Sequence, residues 1–314
     1  SAAHPGVSSL LLPFHNLECS LHPLAVMNES SQTAQNYYDS DDAFIFYKHV
    51  WGGEAIHVGL YDVVQRKGEG IEADIEWSKA SARLSTEQLF TQVPSQTLKE
   101  GMMVCDMGAA YGEAARHCAS KYGCKVLCVE VSKKENEFNR KKTAEAGLQD
   151  KVLIPKELSF FDTEAESTSM DLVVSQDSLL HAGSERHKVI EEASRILKKG
   201  GYFVFTDIMQ SDSCDPEVLA STGVLKRIHL ENMGSPEVYK KHAADNGLKF
   251  VKFEDRTACI VHHYGTVSKI LEAKRGELSC SAQFVDNMLA GLSAWVAAGD
   301  NGSLCWGFLV FQKE

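Results

Sequence analysis

One stretch of the chain spaces small residues and acids as a nucleoside-binding turn requires. Within residues 103–113, small residues occupy alternate positions at Gly108, Ala110 and Gly112. Small side chains let the backbone turn tightly and let a ligand approach the start of the following helix. Glu130 ends the next apolar segment, where a carboxylate can accept hydrogen bonds from both hydroxyls of a ribose. The pattern predicts a nucleoside bound across the ends of two strands.

Asp106 distinguishes between two nucleoside ligands. A dinucleotide needs the pattern G-x-G-x-x-G, so that bare amides face its pyrophosphate. Here the third glycine is displaced, and Asp106 puts a carboxylate at the mouth of the turn, which would repel a pyrophosphate. The sulfonium, ammonium and ribose of S-adenosylmethionine suit this turn better. The sequence therefore predicts S-adenosylmethionine as cofactor and S-adenosylhomocysteine as its product.

The same turn also resembles a known motif. Residues 106–112, Asp-Met-Gly-Ala-Ala-Tyr-Gly, resemble the first motif of class I methyltransferases, D-x-G-x-G-x-G, with Ala110 at the middle glycine. Four further segments are similar to sarcosine/dimethylglycine N-methyltransferases: 37–43, 51–61, 175–181 and 227–231. The resemblance extends from residue 36 to about residue 275. It implies a Rossmann-like fold and an enzyme that methylates sarcosine and dimethylglycine towards glycine betaine.

The resemblance also implies which residues bind the cofactor. Gly108, Ala110 and Gly112 would line its methionine part, and Glu130 would bind its ribose. Seven further residues are assigned to the same site: Tyr38, His57, Asp106, Val131, Ser159, Phe160 and Gln176. Among these, Ser159 and Phe160 would lie beside adenine and Gln176 near the sulfonium, while Tyr38 and His57 would reach over the cofactor.

The substrate that accepts the methyl group has an amine and a carboxylate, and each of them requires its own protein side chain. An amine must lose its proton before it attacks a methyl group, and His181, one turn past the fourth predicted strand, is the predicted catalytic acceptor of that proton. A carboxylate pairs best with a bidentate guanidinium, which favours Arg227. Aromatic faces bind a methylated ammonium, and Tyr37, Trp51 and Tyr264 are the predicted rings.

Composition narrows the classes of partner and ligand. The net charge of −11 disfavours nucleic acid and anionic membranes, so we expect a small amino acid as partner, with monomer and homodimer both open. Nine cysteines without a C-x-x-C pair favour reduced thiols in the cytoplasm. The adjacent His262 and His263 would face apart on any regular element, so no metal is expected.

The elements that position these residues alternate. Seven apolar strands are predicted at 102–106, 125–131, 152–154, 171–175, 202–207, 249–254 and 306–312. Helical segments lie between them, including one at 186–198 that the two glycines after it would stop. Strands alternating with helices predict a mostly parallel seven-stranded sheet with helices on both faces.

Two further regions flank this core, which is predicted at 99–314. Residues 1–35 are expected to be a poorly ordered tail and residues 36–98 a helical cap, with lid insertions around 210–235 and 258–303. In the cap, Ser40 is the predicted start of one helix, and Ser85 with Gln88 the capping box of another. Ser132 with Glu135 is the capping box of a core helix.

Three alternatives remain open on the sequence alone. One is a related methyltransferase of a larger acceptor, such as phosphoethanolamine, or of a lipid, as in cyclopropane synthases. The polar stretch 227–231 disfavours the apolar channel that a lipid would require. The others are a nucleotide-dependent oxidoreductase and a binding module that holds S-adenosylmethionine without turnover.

Overall fold

A computed structural model describes residues 28–314. Seven strands of this part form one sheet in the order β3-β2-β1-β4-β5-β7-β6. The strands are β1 Met103–Met107, β2 Lys125–Val129, β3 Val152–Leu153, β4 Met170–Gln176, β5 Leu197–Gln210, β6 Leu248–Asp255 and β7 Leu304–Lys313. Strands β1 to β5 are parallel, and β7 runs antiparallel between β5 and β6. The predicted seven-stranded, mostly parallel sheet is confirmed.

Helices cover both faces of the sheet. They are α1 Glu29–Tyr38, α2 Asp41–Phe46, α3 Gly70–Thr91, α4 Glu113–Tyr122, α5 Lys133–Glu145, α6 Arg186–Ile196, α7 Pro216–Ser221, α8 Pro236–Asp245, α9 Ala258–Lys274 and α10 Ala282–Asp300. Side chains alternate along each strand, so Leu172 and Val174 of β4 belong to one apolar core and Val173 to the other. Burial on both faces explains why the central strands read as continuous apolar runs.

The helix predicted at Ser40 is confirmed, because the Ser40 hydroxyl accepts a hydrogen bond from the amide of Ala43 at 3.2 Å. It continues as a π-helical turn, Tyr47–Trp51, and Gly52 follows its end. Part of the predicted tail is helical, since α1 begins at Glu29 behind Asn28, whose side chain caps it. The rest of the predicted tail, before residue 28, lies outside the described residues.

The prediction that a second cap helix begins at Ser85 is wrong. Helix α3 begins at Gly70, and Ser85 lies buried in its fifth turn, where it caps nothing. The serines of α3 mark close packing instead. A Cβ on Gly59 would lie 2.6 Å from the Ser81 backbone, and the amide of Leu60 donates to the Ser81 carbonyl. A small polar residue can either cap a helix or allow close packing between two segments. Only the packing in the structure shows which of these roles the residue has.

The predicted end of the helix before β5 is also wrong. Helix α6 ends at Ile196, and β5 begins at once with Leu197. Gly201 lies within β5 rather than beyond a helix, and a Cβ there would approach the carbonyl of Asp171 to 2.9 Å. The glycine is required because two strands approach closely at a bulge.

The two predicted insertions lie at one end of the sheet. The first contains α7 and the short 3₁₀ turn Val224–Lys226, and the second contains α9 and α10. The Trp295 indole of α10 donates to the carbonyl of Val224 at 2.9 Å and thereby joins them. Helix α9 also packs against α3 of the cap. Cap and insertions together enclose the edge where the parallel strands end.

Candidate active site

A cavity of about 790 Å³ opens at the carboxyl ends of β1, β2 and β4. We call it the larger cavity. The turn after β1 forms its floor, with Gly108 and Ala110 in the left-handed backbone region. A Cβ on Gly108 would lie 2.3 Å from the hydroxyl of Ser178. The glycine is required there because β4 and the turn after β1 meet without a gap.

Six carboxylates line the larger cavity: Glu54, Asp106, Glu113, Glu130, Glu135 and Asp177. Glu130 accepts backbone hydrogen bonds from Ala110 at 3.0 Å and from Ser132 at 2.8 Å. Asp106 Oδ2 is buried and has no hydrogen-bond partner within residues 28–314. Burial and the nearby Glu130 and Glu113 carboxylates raise the pKa of Asp106 to about 7. This concentration of negative charge is matched to a cationic ligand.

The buried polar atoms of the larger cavity that lack a hydrogen-bond partner fit S-adenosylmethionine in particular. Besides the acceptor on Asp106, the donor Gln176 Nε2 is buried without a partner in the described part of the chain. A buried polar group without a partner costs roughly 1–3 kcal/mol, which a ligand with both donors and acceptors recovers. The cofactor carries an ammonium, a carboxylate and ribose hydroxyls. A pyrophosphate would instead meet the six carboxylates of the lining.

A smaller cavity of about 280 Å³ adjoins the larger one. The two share five lining residues: Tyr38, Ile56, His57, Asp177 and His181. Aromatic rings, aliphatic side chains and Arg227 enclose the rest of the smaller cavity. Its size suits a molecule of a few heavy atoms and leaves no room for a lipid chain.

Arg227 is the cation of the smaller cavity. Its guanidinium carbon lies 4.5 Å from the ring centre of Trp295 and 5.4 Å from those of Trp51 and Tyr264. Its Nε is buried without a hydrogen-bond partner, and its one hydrogen bond among the described residues goes to the sulfur of Met288. No carboxylate within residues 28–314 forms an ion pair with it. Arg227 is therefore available to an anion that enters the cavity.

Comparison with known proteins identifies the family. A methyltransferase-domain model matches residues 105–205. A sarcosine/dimethylglycine N-methyltransferase of Halorhodospira halochloris is 40% identical over 288 residues, which cover 91% of this chain and 98% of that protein. A dimethylglycine N-methyltransferase of Parasynechococcus marenigrum is 38% identical over 286 residues, covering 90% and 96%. The chain belongs to the sarcosine/dimethylglycine N-methyltransferase family. It is an S-adenosylmethionine-dependent methyltransferase.

The fold agrees with this membership. A crystal structure from Galdieria sulphuraria, provisionally described as a sarcosine dimethylglycine methyltransferase, superposes with a TM-score of 0.77. It is 35% identical in sequence, and the match covers 87% of this chain and 99% of that one. The predicted class I methyltransferase fold is confirmed, and the oxidoreductase and the pure binding module are not supported.

Most residues predicted to bind the cofactor lie together. Nine of them line the larger cavity: Tyr38, His57, Asp106, Gly108, Ala110, Glu130, Val131, Phe160 and Gln176. Gly112 and Ser159 are not among its lining residues. A Cβ on Gly112 would lie 2.0 Å from the side chain of Asn139, so this glycine permits helix packing. Ser159 shares a hydrogen bond with Ser31 at 2.8 Å.

The residues predicted to bind the acceptor also converge. Trp51, Arg227 and Tyr264 line the smaller cavity, and His181 lines both. Tyr37 instead lines a third, open cavity beside Arg227. Burial and the charge of Arg227 lower the pKa of His181 to about 4, so its imidazole is neutral at working pH.

The sequence interpretation missed four acids that line the larger cavity: Glu54, Glu113, Glu135 and Asp177. Asp177 lines both cavities and accepts hydrogen bonds from the amide of Val58 at 2.7 Å and the indole of Trp306 at 2.8 Å. Burial raises the pKa of Asp177 to about 6. Its position directly after β4 was the available signal. The predicted Ser132 cap is confirmed, because its hydroxyl accepts a hydrogen bond from the amide of Glu135 at 3.1 Å. The reciprocal half of the capping box is wrong, because the amide of Ser132 donates to Glu130, and the Glu135 side chain lines the larger cavity.

Residues 28–314 contain neither a cluster of metal ligands nor a helix suited to span a membrane. No group of three metal-ligating side chains is present in residues 28–314. His263 instead lies 3.2 Å from the hydroxyl of Tyr61, and His262 packs against Trp77. No helix in this part of the chain combines the length and the apolar composition that crossing a bilayer requires.

Proposed function

We propose that this enzyme methylates the nitrogen of sarcosine and dimethylglycine, giving glycine betaine. The observation that carries the proposal is Arg227, a guanidinium among aromatic rings without a carboxylate partner in the described chain. A guanidinium binds a carboxylate in a bidentate manner. The names of the two curated relatives point to the same acceptors.

The smaller cavity provides a place for both charged ends of a zwitterionic amino acid. The acceptor's carboxylate would bind Arg227, and its nitrogen would lie towards Tyr38, Asp177 and His181, where the two cavities meet. Trp51 and Tyr264 provide aromatic faces for the N-methyl groups, which carry much of the positive charge of a methylated ammonium.

The chain's own residues bind, orient and deprotonate the acceptor. S-adenosylmethionine, when bound, supplies an electrophilic methyl group on its sulfonium. We propose that Asp106, Glu130 and Gln176 hold it in the larger cavity. The enclosed position of the smaller cavity excludes water and aligns the amine for in-line attack.

Proton removal precedes the transfer. The acceptor nitrogen must lose its proton so that its lone pair is free, and we propose His181 as the group that receives it. In the free enzyme, Arg227 helps to lower the pKa of His181. An acceptor carboxylate on Arg227 would neutralise that charge and make His181 a better proton acceptor. Methylation of dimethylglycine then gives a quaternary nitrogen with no further proton to release.

An acceptor panel tests the proposal. Transfer of labelled methyl groups should be measured with glycine, sarcosine, dimethylglycine and phosphoethanolamine. We expect sarcosine and dimethylglycine to be methylated and glycine poorly, with discrimination of roughly 1–3 kcal/mol per methyl group in an apolar pocket. A preference for glycine or phosphoethanolamine would contradict the substrate assignment and leave the methyltransferase assignment intact.

The role of Arg227 has its own test. Arg227→Met should raise KM for dimethylglycine by about 10–100-fold, since a charge-assisted hydrogen bond contributes about 1.5–3 kcal/mol. Cofactor affinity should remain within twofold, because Arg227 lines only the smaller and the open cavity. The neighbouring exposed Lys226, changed to Met, is the matched control. An unchanged KM in Arg227→Met would remove Arg227 from the acceptor site.

The cellular setting is part of the same proposal. Eight cysteines of the described chain are free thiols, six of them buried, as expected in a reducing compartment. We propose that the enzyme acts in the cytoplasm on small amino acids and not on nucleic acid.

A further inference from the structure

Helix α10 contacts Arg227 through a glycine. A Cβ added to Gly291 would lie 2.6 Å from Cγ of Arg227 and 2.9 Å from both Cβ and Cδ. These atoms are the stem of the arginine rather than its flexible end. An alanine at 291 would therefore displace the whole Arg227 side chain.

Two other residues on the same face of α10 complete the contact. Met288 Sδ accepts a hydrogen bond from Arg227 Nη1 at 3.7 Å, and the Trp295 ring lies 4.5 Å from the guanidinium carbon. Positions 288, 291 and 295 are three and four residues apart, so they share one helix face. The Trp295 indole also donates to Val224 at 2.9 Å. The helix is thus fixed to the segment that leads into Arg227.

A glycine inside a helix needs a reason. Gly291 lies in the interior of α10, where glycine is about 1 kcal/mol less favourable than alanine. Gly265 of α9 offers the contrast, because a Cβ there would meet no atom within 4 Å. The absent side chain at 291 is what allows Arg227 to lie against the helix backbone.

From this geometry we infer that Gly291 is a positioning residue for the acceptor. It sets the depth at which the Arg227 guanidinium lies between the rings of Trp51, Tyr264 and Trp295, and so the distance from the bound carboxylate to the reacting nitrogen. The inference rests on the proposed role of Arg227 in binding the acceptor. It concerns a residue that touches neither the cofactor cavity nor the acceptor directly.

Gly291→Ala tests the inference, with Gly265→Ala as the matched helix-glycine control. We expect Gly291→Ala to raise KM for dimethylglycine at least tenfold and to leave the Kd for S-adenosylhomocysteine within twofold. Gly265→Ala should change neither. A KM within twofold of the parent enzyme in a folded Gly291→Ala variant would overturn the inference.

A double variant covers the case in which Gly291→Ala loses stability. Truncation in Arg227→Ala removes Cγ and Cδ, two of the three atoms that the new Cβ would meet, and leaves only Cβ. The loss of thermal stability caused by Gly291→Ala should therefore be smaller in the Arg227→Ala background. An equal loss in both backgrounds would show that Gly291 packs against something other than Arg227 and would refute the inference.

The two proposals fail in different ways. If Arg227→Met leaves KM for dimethylglycine unchanged, the proposed role of Arg227 fails and the inference fails with it. If Arg227→Met raises KM while Gly291→Ala does not, only the positioning role is wrong.

Discussion

The hydroxyl of Tyr38 lies 3.1 Å from Nε2 of His181. This contact joins α1 to the 3₁₀ segment Leu179–Glu185 after β4, and both residues line both cavities. The two rings meet edge to face at 5.5 Å. The cap thus contacts His181, the predicted proton acceptor, at the point where the methyl donor and the methyl acceptor must meet.

His181→Ala should lower kcat for dimethylglycine by about 10²–10⁴-fold, the usual contribution of a general base. Because the pKa of His181 is lowered to about 4, its imidazole is neutral above that pH. We therefore expect the pH–rate profile, measured at saturating cofactor and acceptor, to rise with deprotonation of the acceptor amine. A variant that loses less than tenfold and keeps its alkaline rise would show that His181 only orients the amine.

Tyr38→Phe isolates the hydroxyl from the ring. The variant keeps the aromatic face and loses the 3.1 Å hydrogen bond to His181. We expect kcat to fall by about tenfold, equivalent to about 1.4 kcal/mol, with KM for the acceptor little changed. A variant with the parent pH–rate profile and rate would mean that the hydrogen bond has no part in proton transfer.

Glu130→Ala should weaken cofactor binding by about 1–3 kcal/mol, the cost of leaving ribose hydroxyls unpaired. Glu130 also accepts hydrogen bonds from the amides of Ala110 and Ser132. Glu130→Gln, which keeps one acceptor oxygen, should therefore lose less affinity for the cofactor. The exposed Glu137 of α5, changed to Ala, is the control. Calorimetry that finds parent affinity in Glu130→Ala would remove this residue from the site.

Asp106 should make both stability and cofactor binding depend on pH. Its pKa is about 7 in the folded protein and 3.8 ordinarily, so between these values the folded state retains a proton that the unfolded chain releases. Its contribution to stability is therefore present below about pH 4 and is lost as the pH rises to about 7. Affinity for S-adenosylmethionine should rise over about pH 6–8, because only the ionised carboxylate attracts the cation.

Asp106→Asn provides the comparison. The amide does not ionise, so the rise of affinity with pH should flatten in titrations at about pH 6, 7 and 8. The same pH dependence in parent and variant would assign the effect to another group of the cavity.

Activity should survive EDTA. No group of three or more His, Cys, Asp or Glu side chains within residues 28–314 could hold a metal ion, so neither His262 nor His263 belongs to one, and alkylation of an amine by a sulfonium needs no Lewis acid. Loss of activity on chelation, restored by one divalent ion alone, would contradict this expectation.

The sequence by itself determined those parts of the protein that follow local rules. The glycine turn after β1, the acid at the end of β2 and the Ser40 cap depend on backbone preferences of a few adjacent residues. Apolar runs separated by helices determined the parallel sheet. Parallel strands end at one edge, so residues after β1, β2 and β4 necessarily meet there.

Only the tertiary structure decided which side chains share a cavity. Asp177 and Glu135 line the site because distant segments bury them, and neither residue type nor spacing shows burial. From the local sequence alone, the serines of α3 resemble a helix cap. Gly291 of α10 resembles an unfavourable position in a helix. Their role comes from partners far away in the chain, such as Arg227 against Gly291. Contacts between distant segments depend on how whole elements pack, and local sequence preferences do not encode that packing.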